Sequence, residues 1–204
     1  AVKFVPQGQY LLNDVKVKVE DTKEVLGTDL MKYVQQKQNT EILGFWKLQL
    51  GIYNTASLDT TKWTSKNARK VGEAPVIFSP QMADASVVQL SRAMNNKGYF
   101  RAQVDTSMVM KDRKVNLTYH VTAGVPYLIG SYKVNVKQAD LYAIAQNDRN
   151  VLVRTGEKFD ADLLNQERQR VASAMRSRGY FYFDAECLRF EVDSLYKQQR
   201  LDVK

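Results

Sequence analysis

The sequence predicts an α+β fold made of two tandem β-α-α-β-β modules, each a three-stranded mixed sheet covered on one face by two helices. Three observations predict it. The stretch Ala93-Met94-Asn95-Asn96-Lys97-Gly98-Tyr99-Phe100 returns as Ala174-Met175-Arg176-Ser177-Arg178-Gly179-Tyr180-Phe181, so both copies read A-M-x-x-[KR]-G-Y-F. The run from Gly8 to Val19, in which Tyr10 opens an alternating strand, returns from Gly124 to Val136 with Tyr127 in the same place. The strand copies lie 117 positions apart (127−10), the helix-to-strand copies only 81 (179−98), so the first module carries extra residues between its first strand and its long helix. The modules are therefore placed at residues 1–124, with an insertion at about 40–72, and 125–204.

Taken in order, Tyr10 to Val19 alternates and reads as the first strand. Leu30, Met31, Tyr33 and Val34 after Thr28 suggest a short helix closing near Asn39. In the insertion, Ile42 to Tyr53 is apolar and aromatic and fits a strand or a helix equally, and Asn54 to Ala68, with Trp63 inside, reads as a loop.

The long helices follow from their ends. Ser79 and Asp160 stand at N-cap positions, Pro80 at the first helical position that tolerates it, and a basic residue followed by Gly closes each helix. Met82, Leu90 and Met94 form one apolar stripe, and Leu163, Val171 and Met175 form the other. After the first Gly cap come a strand from Tyr99 to about Met108, a turn at Lys111-Asp112-Arg113, and a strand in which Val115, Leu117, Tyr119 and Val121 alternate with Asn116, Thr118 and His120. The second module repeats this order: strand 127–136, short helix from Asp140 to Ala145, long helix 160–178, strand from Tyr180, turn near Ser194, and a last strand at Arg200–Val203. That strand is truncated at Lys204, and the reading expects the native polypeptide to continue.

Composition limits the function. The chain has 204 residues, 44% of them hydrophobic and 25% charged, an ordinary globular balance. No apolar run approaches the roughly 18 residues of a membrane-spanning helix. Cys187 is the single cysteine, so no intrachain disulfide forms, and alternation from Phe181 makes it a buried or half-buried structural thiol. No catalytic residue is assigned: His120 is the only histidine, and it falls on the solvent face of a strand without a neighbouring signature. Asp160 and Asp162 look paired, but at a helix start they complement the dipole. No Cys/His cluster has metal-ligand spacing, and neither Gly72-Glu73 nor Gly156-Glu157 is a phosphate loop, so no metal or cofactor is expected.

The net charge of +8 raises nucleic-acid binding as an alternative from another class. The charge is dispersed, however, with no run longer than two basic residues, and Arg168, Arg170, Arg176 and Arg178 read as a solvated helix face. The densest patch is Lys62, Lys66, Arg69 and Lys70 beside Trp63. No nucleic-acid partner is expected.

The order strand, helix, helix, strand, strand, with G-Y-F at the second strand and Gly124-Val125-Pro126-Tyr127 opening the next module, resembles the POTRA modules of the BamA/TamA family of outer-membrane proteins. The resemblance also rests on Gly98-Tyr99-Phe100 with Ala102 and Val104, Gly179-Tyr180-Phe181 with Ala185, Gly72 to Ile77, and Gln36-Lys37-Gln38-Asn39. The insertion-bearing first module looks most like TamA-like lipoproteins of the Bacteroidetes, although Gln38 stands where Pro is expected and no lipid-bearing Cys precedes Lys3. The resemblance implies a location at the periplasmic face of the outer membrane, in front of a C-terminal membrane β-barrel absent from this chain, with lipid anchoring as a family trait. The implied partners are unfolded outer-membrane protein segments and periplasmic or inner-membrane proteins.

A small sheet with one helix-covered face leaves an edge that can accept an extended peptide as an added strand. The candidate edges are Tyr99 to Met108, with Arg101, Gln103 and Asp105 on the polar face, and Tyr180 to Val192, with Tyr182, Asp184 and Glu186. A purely structural spacer is the plainer alternative. Phe45, Trp46 and Tyr53 of the insertion either extend the first core or form a patch that docks a partner.

Overall fold

The computed structural model describes residues 2–40, 47–56, 67, 70–146, 150–195 and 199–204. In chain order they form β1 (Leu11–Val19), α1 (Gly27–Leu30) running into a 3-10 turn Met31–Tyr33, α2 (Leu48–Thr55) and α3 (Pro80–Asn96). There follow β2 (Gln103–Lys111), β3 (Lys114–Thr122), β4 (Leu128–Tyr132), α4 (Ala139–Gln146), α5 (Ala161–Ser177), β5 (Val192–Leu195) and β6 (Arg200–Val203). The chain divides into two compact units, Ala1–Ser91 with Gln103–Thr122 and Arg92–Ala102 with Ala123–Lys204. Each unit holds a three-stranded mixed sheet, ordered β1-β3-β2 in the first and β4-β6-β5 in the second.

In the first unit β1 runs parallel to β3, and β2 pairs antiparallel with β3 over its whole length. The alternation of β3 decides which face is core: Val115, Leu117, Tyr119 and Val121 are buried, while Asn116, Thr118 and His120 face outward. Parallel strands need a crossover, and the chain supplies it in α1, α2 and α3. The entry to α1 lies so close to β1 that a Cβ on Gly27 would collide with the Val17 carbonyl, and this approach buries Val25, Leu30 and Val34.

The approach to α3 is fixed by side-chain amides. The segment 74–79 lies against β1 through Leu12 N–H to Val76 O (2.8 Å) and Phe78 N–H to Tyr10 O (2.8 Å). On its other side Gln36 Nε2 donates to Ile77 O (2.6 Å) and Gln36 Oε1 accepts from Ser79 N–H (3.0 Å). Asn39, 1% exposed, donates to Ala74 O (2.7 Å) and accepts from Val76 N–H (3.0 Å). Two amide side chains thus imitate a neighbouring strand and satisfy backbone groups that would otherwise be left unpaired. Ser79 then caps α3 and Pro80 begins it, as their positions in the sequence predict.

In the second unit the same geometry recurs with an ionic clamp. Phe159 N–H donates to Tyr127 O (3.0 Å) and Ile129 N–H to Glu157 O (2.8 Å), and Asp160 caps α5 by accepting from Asp162 N–H (2.8 Å). Glu167, fully buried on α5, accepts from Leu152 N–H (3.0 Å), from Arg170 Nε and Nη2 (2.8 Å each) and from the Tyr132 hydroxyl (3.3 Å). Arg170 also donates to Ala145 O (3.0 Å), closing α4. The core around this clamp contains Tyr127, Ile129, Val153, Phe159, Leu164 and Leu201.

Several expectations are corrected. Met82 is exposed and Ala83 takes its buried place, and Leu164 rather than Leu163 is buried, because each stripe is rotated by one position at the helix start. The first helix ends at Tyr33 instead of near Asn39, since Gln36 and Asn39 are spent on the 74–79 backbone. Of the ambiguous insertion, Leu48–Thr55 is helical; Phe45, Trp46, Trp63, Lys62, Lys66 and Arg69 lie outside the described residues. The strand expected over 127–136 is confined to Leu128–Tyr132. The strand expected from Tyr180 begins only at Val192: β6 offers four residues as a partner, Val192–Leu195 uses all of them, and Asp184 caps a 3-10 turn Ala185–Cys187. Cys187 is accordingly exposed rather than buried, because a turn does not alternate.

Two predictions follow from these contacts. Glu167→Ala leaves Arg170 and Leu152 N–H without their acceptor inside the second unit, so it should lower unfolding free energy by about 3 kcal/mol in urea titration. Gly98 and Gly179 both have positive φ (86° and 98°), but only at Gly98 would a Cβ approach backbone, at 2.6 Å from Phe159 O. Gly179→Ala should therefore cost about 1 kcal/mol and Gly98→Ala at least about twice that, measured the same way.

Candidate functional site

The open edge of the first sheet is the feature of this unit that ordinary packing leaves unexplained. β2 is the terminal strand of the order β1-β3-β2, and its nine residues extend over roughly 30 Å. Its pairing with β3 is continuous from Gln103 opposite Thr122 to Lys111 opposite Lys114. In an antiparallel edge strand alternate residues turn their N–H and C=O away from the ladder, so β2 presents a row of donors and acceptors outward.

The side chains of β2 are exposed on both faces. Thr106, Met108 and Met110 share the helix-side face with buried Tyr119, Leu117 and Val115, yet all three stay exposed, Met108 at 47% and Met110 at 51%. The crossover layer therefore covers β1 and β3 and stops short of β2. Val109, 65% exposed, faces the other way. Ser-Met-Val-Met at 107–110 abandons the apolar-polar alternation of a half-buried strand; the sequence reading did not single out these residues, and this break was the signal that could have found them.

Three devices hold the uncovered strand in place. The β2–β3 turn puts Asp112 and Arg113 at positive φ (50° and 60°), and the Arg113 guanidinium donates to Val5 O (2.8 Å) and Pro6 O (2.7 Å). Leu11 N–H also donates to Arg113 O (2.9 Å). On the outer face Ser107 Oγ lies 2.8 Å from His120 Nε2, and His120 Nδ1 lies 2.8 Å from Glu20 Oε1. This chain links β2, β3 and the end of β1. Ser, His and Glu in this order match a hydrolase triad in connectivity, but they lie on an open sheet face with His120 also opposite Asp105 and Lys18 in register. The three side chains join β2, β3 and the end of β1 as a cross-strand brace.

Beneath β2 the Tyr119 hydroxyl is buried beside Ser86, which already donates to Met82 O (2.7 Å) and accepts from Gln35 N–H (3.0 Å). Burial raises the Tyr119 pKa above its ordinary value, outweighing the proximity of Ser86, which lowers it.

The residues singled out in the sequence separate. Gln103 and Asp105 lie on β2, exposed, opposite Thr122 and His120. Arg101 sits in the turn before the strand. Tyr182, Asp184 and Glu186 occupy turns, with Asp184 accepting from Glu186 N–H, and form no strand edge. Tyr53 lies on α2 edge-on to Phe4 at 5.1 Å. Among the described residues no group of His, Cys, Asp and Glu could hold a metal ion. Among the described residues no helix is long and apolar enough to cross a membrane.

The second unit carries a different opening, a groove of about 350 Å³ between residues 132–136 and 187–191, floored by Leu141, Val171 and Met175. Its walls are two extended segments at the end of the β4-β6-β5 ladder, where Lys133 N–H still donates to Val203 O (2.9 Å) and Glu191 and Lys204 exchange backbone bonds (2.9 Å each).

The POTRA family model, described as a surface antigen variable number repeat, matches residues 15–124. No curated relative matches the chain. Among solved structures it is similar to POTRA3–5 of BamA from Haemophilus influenzae, at 13% identity and a TM-score of 0.34, covering 98% of this chain and 97% of that one. It is similar to POTRA1–2 of the periplasmic domain of Omp85 from Anabaena, at 10% identity and a TM-score of 0.37, covering 97% and 95%. It is also similar to BamA from Haemophilus ducreyi lacking POTRA domains 1–3, at 14% identity and a TM-score of 0.43, covering 95% of this chain and 28% of that one.

The buried phenols set an alkaline limit. Burial raises Tyr119, and raises Tyr132 further with the help of Glu167, above the ordinary value of 10.0. The folded chain then holds protons that the unfolded chain releases, so their contribution is complete below about pH 10 and is lost as pH rises beyond it. The urea midpoint should be flat up to about pH 10 and fall above it, and Tyr119→Phe should make that fall shallower.

Proposed function

The chain belongs to the POTRA family, and from that premise we propose that it is a receiving region in the periplasm, holding extended segments of unfolded outer-membrane proteins for a membrane-embedded assembly or translocation β-barrel. The observation that carries the proposal is β2, an open nine-residue edge with apolar side chains left uncovered on its helix-side face. An incoming strand would continue the sheet by main-chain hydrogen bonds, each worth about 0.5–1.5 kcal/mol net and indifferent to sequence.

Selectivity would come from the two faces. Thr106, Met108 and Met110 offer an apolar shelf on one side, and Asp105, Ser107 and Lys111 a polar surface on the other, interrupted by Val109. A segment that alternates apolar and polar residues satisfies both at once, and that alternation is the pattern of a transmembrane β-strand. Methionine suits a surface that must fit many such sequences, since its thioether stem repacks easily. The role is one of binding, without catalysis.

Gln103 and Asp105 belong to this edge, and Arg101 stands at its entrance. The groove floored by Leu141, Val171 and Met175 is a second place where an extended segment fits, and Tyr182, Asp184 and Glu186 lie near its rim in sequence. Phe45, Trp46 and Tyr53 are proposed as contacts to periplasmic or inner-membrane partner proteins. The location at the periplasmic face of the outer membrane, the lipid anchor and the likeness to TamA-like lipoproteins of the Bacteroidetes are part of the same proposal.

The test is binding of a fluorescent peptide copied from an outer-membrane β-strand, beside a peptide of equal composition whose alternation is scrambled, at low and moderate salt. The alternating peptide should bind, with little salt dependence, and the double substitution Met108→Lys and Met110→Lys should weaken it at least about tenfold. Equal binding of the scrambled peptide, or an unchanged affinity in the double variant, would refute the reading.

A further inference from the structure

The two edges of the first sheet are not alike. β1 is partnered on its outer side by the segment 74–79, through Leu12 N–H to Val76 O and Phe78 N–H to Tyr10 O (2.8 Å each). β2 has no such partner: among the described residues no main-chain bond reaches it from outside its ladder with β3. Which of its residues offer their backbone follows from β3. Leu11 N–H donates to Arg113 O (2.9 Å) and Glu20 N–H to Val121 O (3.0 Å), so the odd-numbered residues from 113 to 121 turn their backbone toward β1 and the even-numbered residues of β3 turn theirs toward β2. In register those even-numbered residues meet Gln103, Asp105, Ser107, Val109 and Lys111. The backbone groups of Val104, Thr106, Met108 and Met110 are left facing outward.

β2 carries two charged side chains, Asp105 and Lys111, of opposite sign, on the same outer face and equally far from Met108 along the strand. A two-fold axis through Met108 therefore sets Asp105 of one copy opposite Lys111 of another, and does so twice. In the same register Thr106 stands opposite Met110 and Met108 opposite its own counterpart, and these are the pairs whose backbone groups face outward and can bond. Asp105–Lys111 and Ser107–Val109 fall at the positions without main-chain bonds, where opposed side chains stand closest. The apolar shelf of Thr106, Met108 and Met110 then runs on into that of the second copy, and the exposed Val109 lies against Ser107.

Neighbouring registers lack this match. Only an axis that passes through a residue brings outward backbone groups against outward ones, so the alternatives nearest to Met108 are axes at Ser107 and Val109. An axis at Ser107 sets Asp105 against Val109 and Lys111 against Gln103, and leaves both charges opposite neutral side chains. An axis at Val109 sets Lys111 against Ser107 and carries Asp105 past the end of the strand. Charge complementarity and the direction of the backbone groups thus select one register for a second copy of the same strand.

We propose that two copies of this chain pair antiparallel through β2 in this register, joining their sheets in the order β1-β3-β2-β2-β3-β1 around a two-fold axis at Met108. About six main-chain hydrogen bonds form between the strands, and two Asp105–Lys111 pairs fix the register. The same surface is used on both molecules, so the contact is isologous and closes at the dimer. Where the edge receives a client strand, as proposed above, this dimer is the state that the client displaces; the self-pairing does not rest on that reading, and its test contains no client peptide.

The test is sedimentation equilibrium of the full chain from micromolar to millimolar concentration, with Asp105→Lys and Lys111→Asp as variants, both at exposed side chains and checked for folding by circular dichroism. The unaltered chain should reach a dimer and go no further. Each variant alone sets like charges opposite each other twice, so its dimer Kd should rise at least about tenfold. Mixed, the two variants should form a one-to-one dimer as tight as that of the unaltered chain, because Lys at 105 then faces Asp at 111 and Lys at 111 faces Asp at 105. Amide exchange followed by NMR should slow with concentration at Thr106, Met108 and Met110, and stay unchanged at Asp105, Ser107 and Val109, which β3 already protects. A chain that remains monomeric up to millimolar concentration, folded variants that dimerise like the unaltered chain or fail to recover on mixing, or a dimer without the added protection at Met108 would each overturn the proposal.

Discussion

In both units one short antiparallel bridge decides how helix and sheet meet. Tyr10 pairs with Phe78, and Tyr127 with Phe159, each through a main-chain hydrogen bond at the point where the first strand begins and the long helix is about to start. Two chain segments far apart in sequence are fixed there before either element has run its length. The helix start is consequently set above the first strand, and the last strand enters beside that strand in parallel. With three strands and the helices anchored over the first, the antiparallel strand is left at the far edge. The open edge is a consequence of the bridge.

The two units stabilise that bridge with different chemistry. In the first, Gln36 and Asn39 match neutral backbone groups with neutral amides, whose burial costs little once every donor and acceptor is used. In the second, the buried Glu167 carboxylate serves Leu152 N–H, Tyr132 and Arg170 together. Desolvating the pair is costly, so its value lies in what it specifies: the segment before Val153, the end of α4 and the axis of α5 can be satisfied in one arrangement only. The first clamp tolerates loss of a member better than the second.

Those elements whose pattern follows from backbone periodicity were legible in the sequence. The repeats located both long helices, Ser79 and Asp160 gave their caps, and β3 was readable because Val115, Leu117, Tyr119 and Val121 alternate without a break. Tyr180 to Phe190 was misread as a strand because aromatic-polar alternation describes a strand only where a partner ladder exists, and the ladder to β6 begins only at Glu191 and Val192. The brace of Ser107, His120 and Glu20 was illegible for another reason: it joins three strands whose register no local pattern reveals. The edge was foreseen at Gln103 and Asp105, but its apolar centre, Met108 to Met110, was missed because exposure depends on how far the helices reach.

An uncovered strand must be kept ordered without burial, and the first unit does so from the side away from the helices. The antiparallel ladder to β3 runs unbroken for nine residues, the Arg113 guanidinium ties the hairpin turn to the carbonyls of Val5 and Pro6, and the Ser107–His120–Glu20 chain crosses the outer face. All of these contacts leave the outward N–H and C=O groups of β2 and the helix-side faces of Met108 and Met110 untouched. Order and availability are thereby separated: the strand is fixed through its inner ladder and outer face, and offered through its edge. An edge stabilised instead by a covering helix would be equally ordered and closed to an added strand.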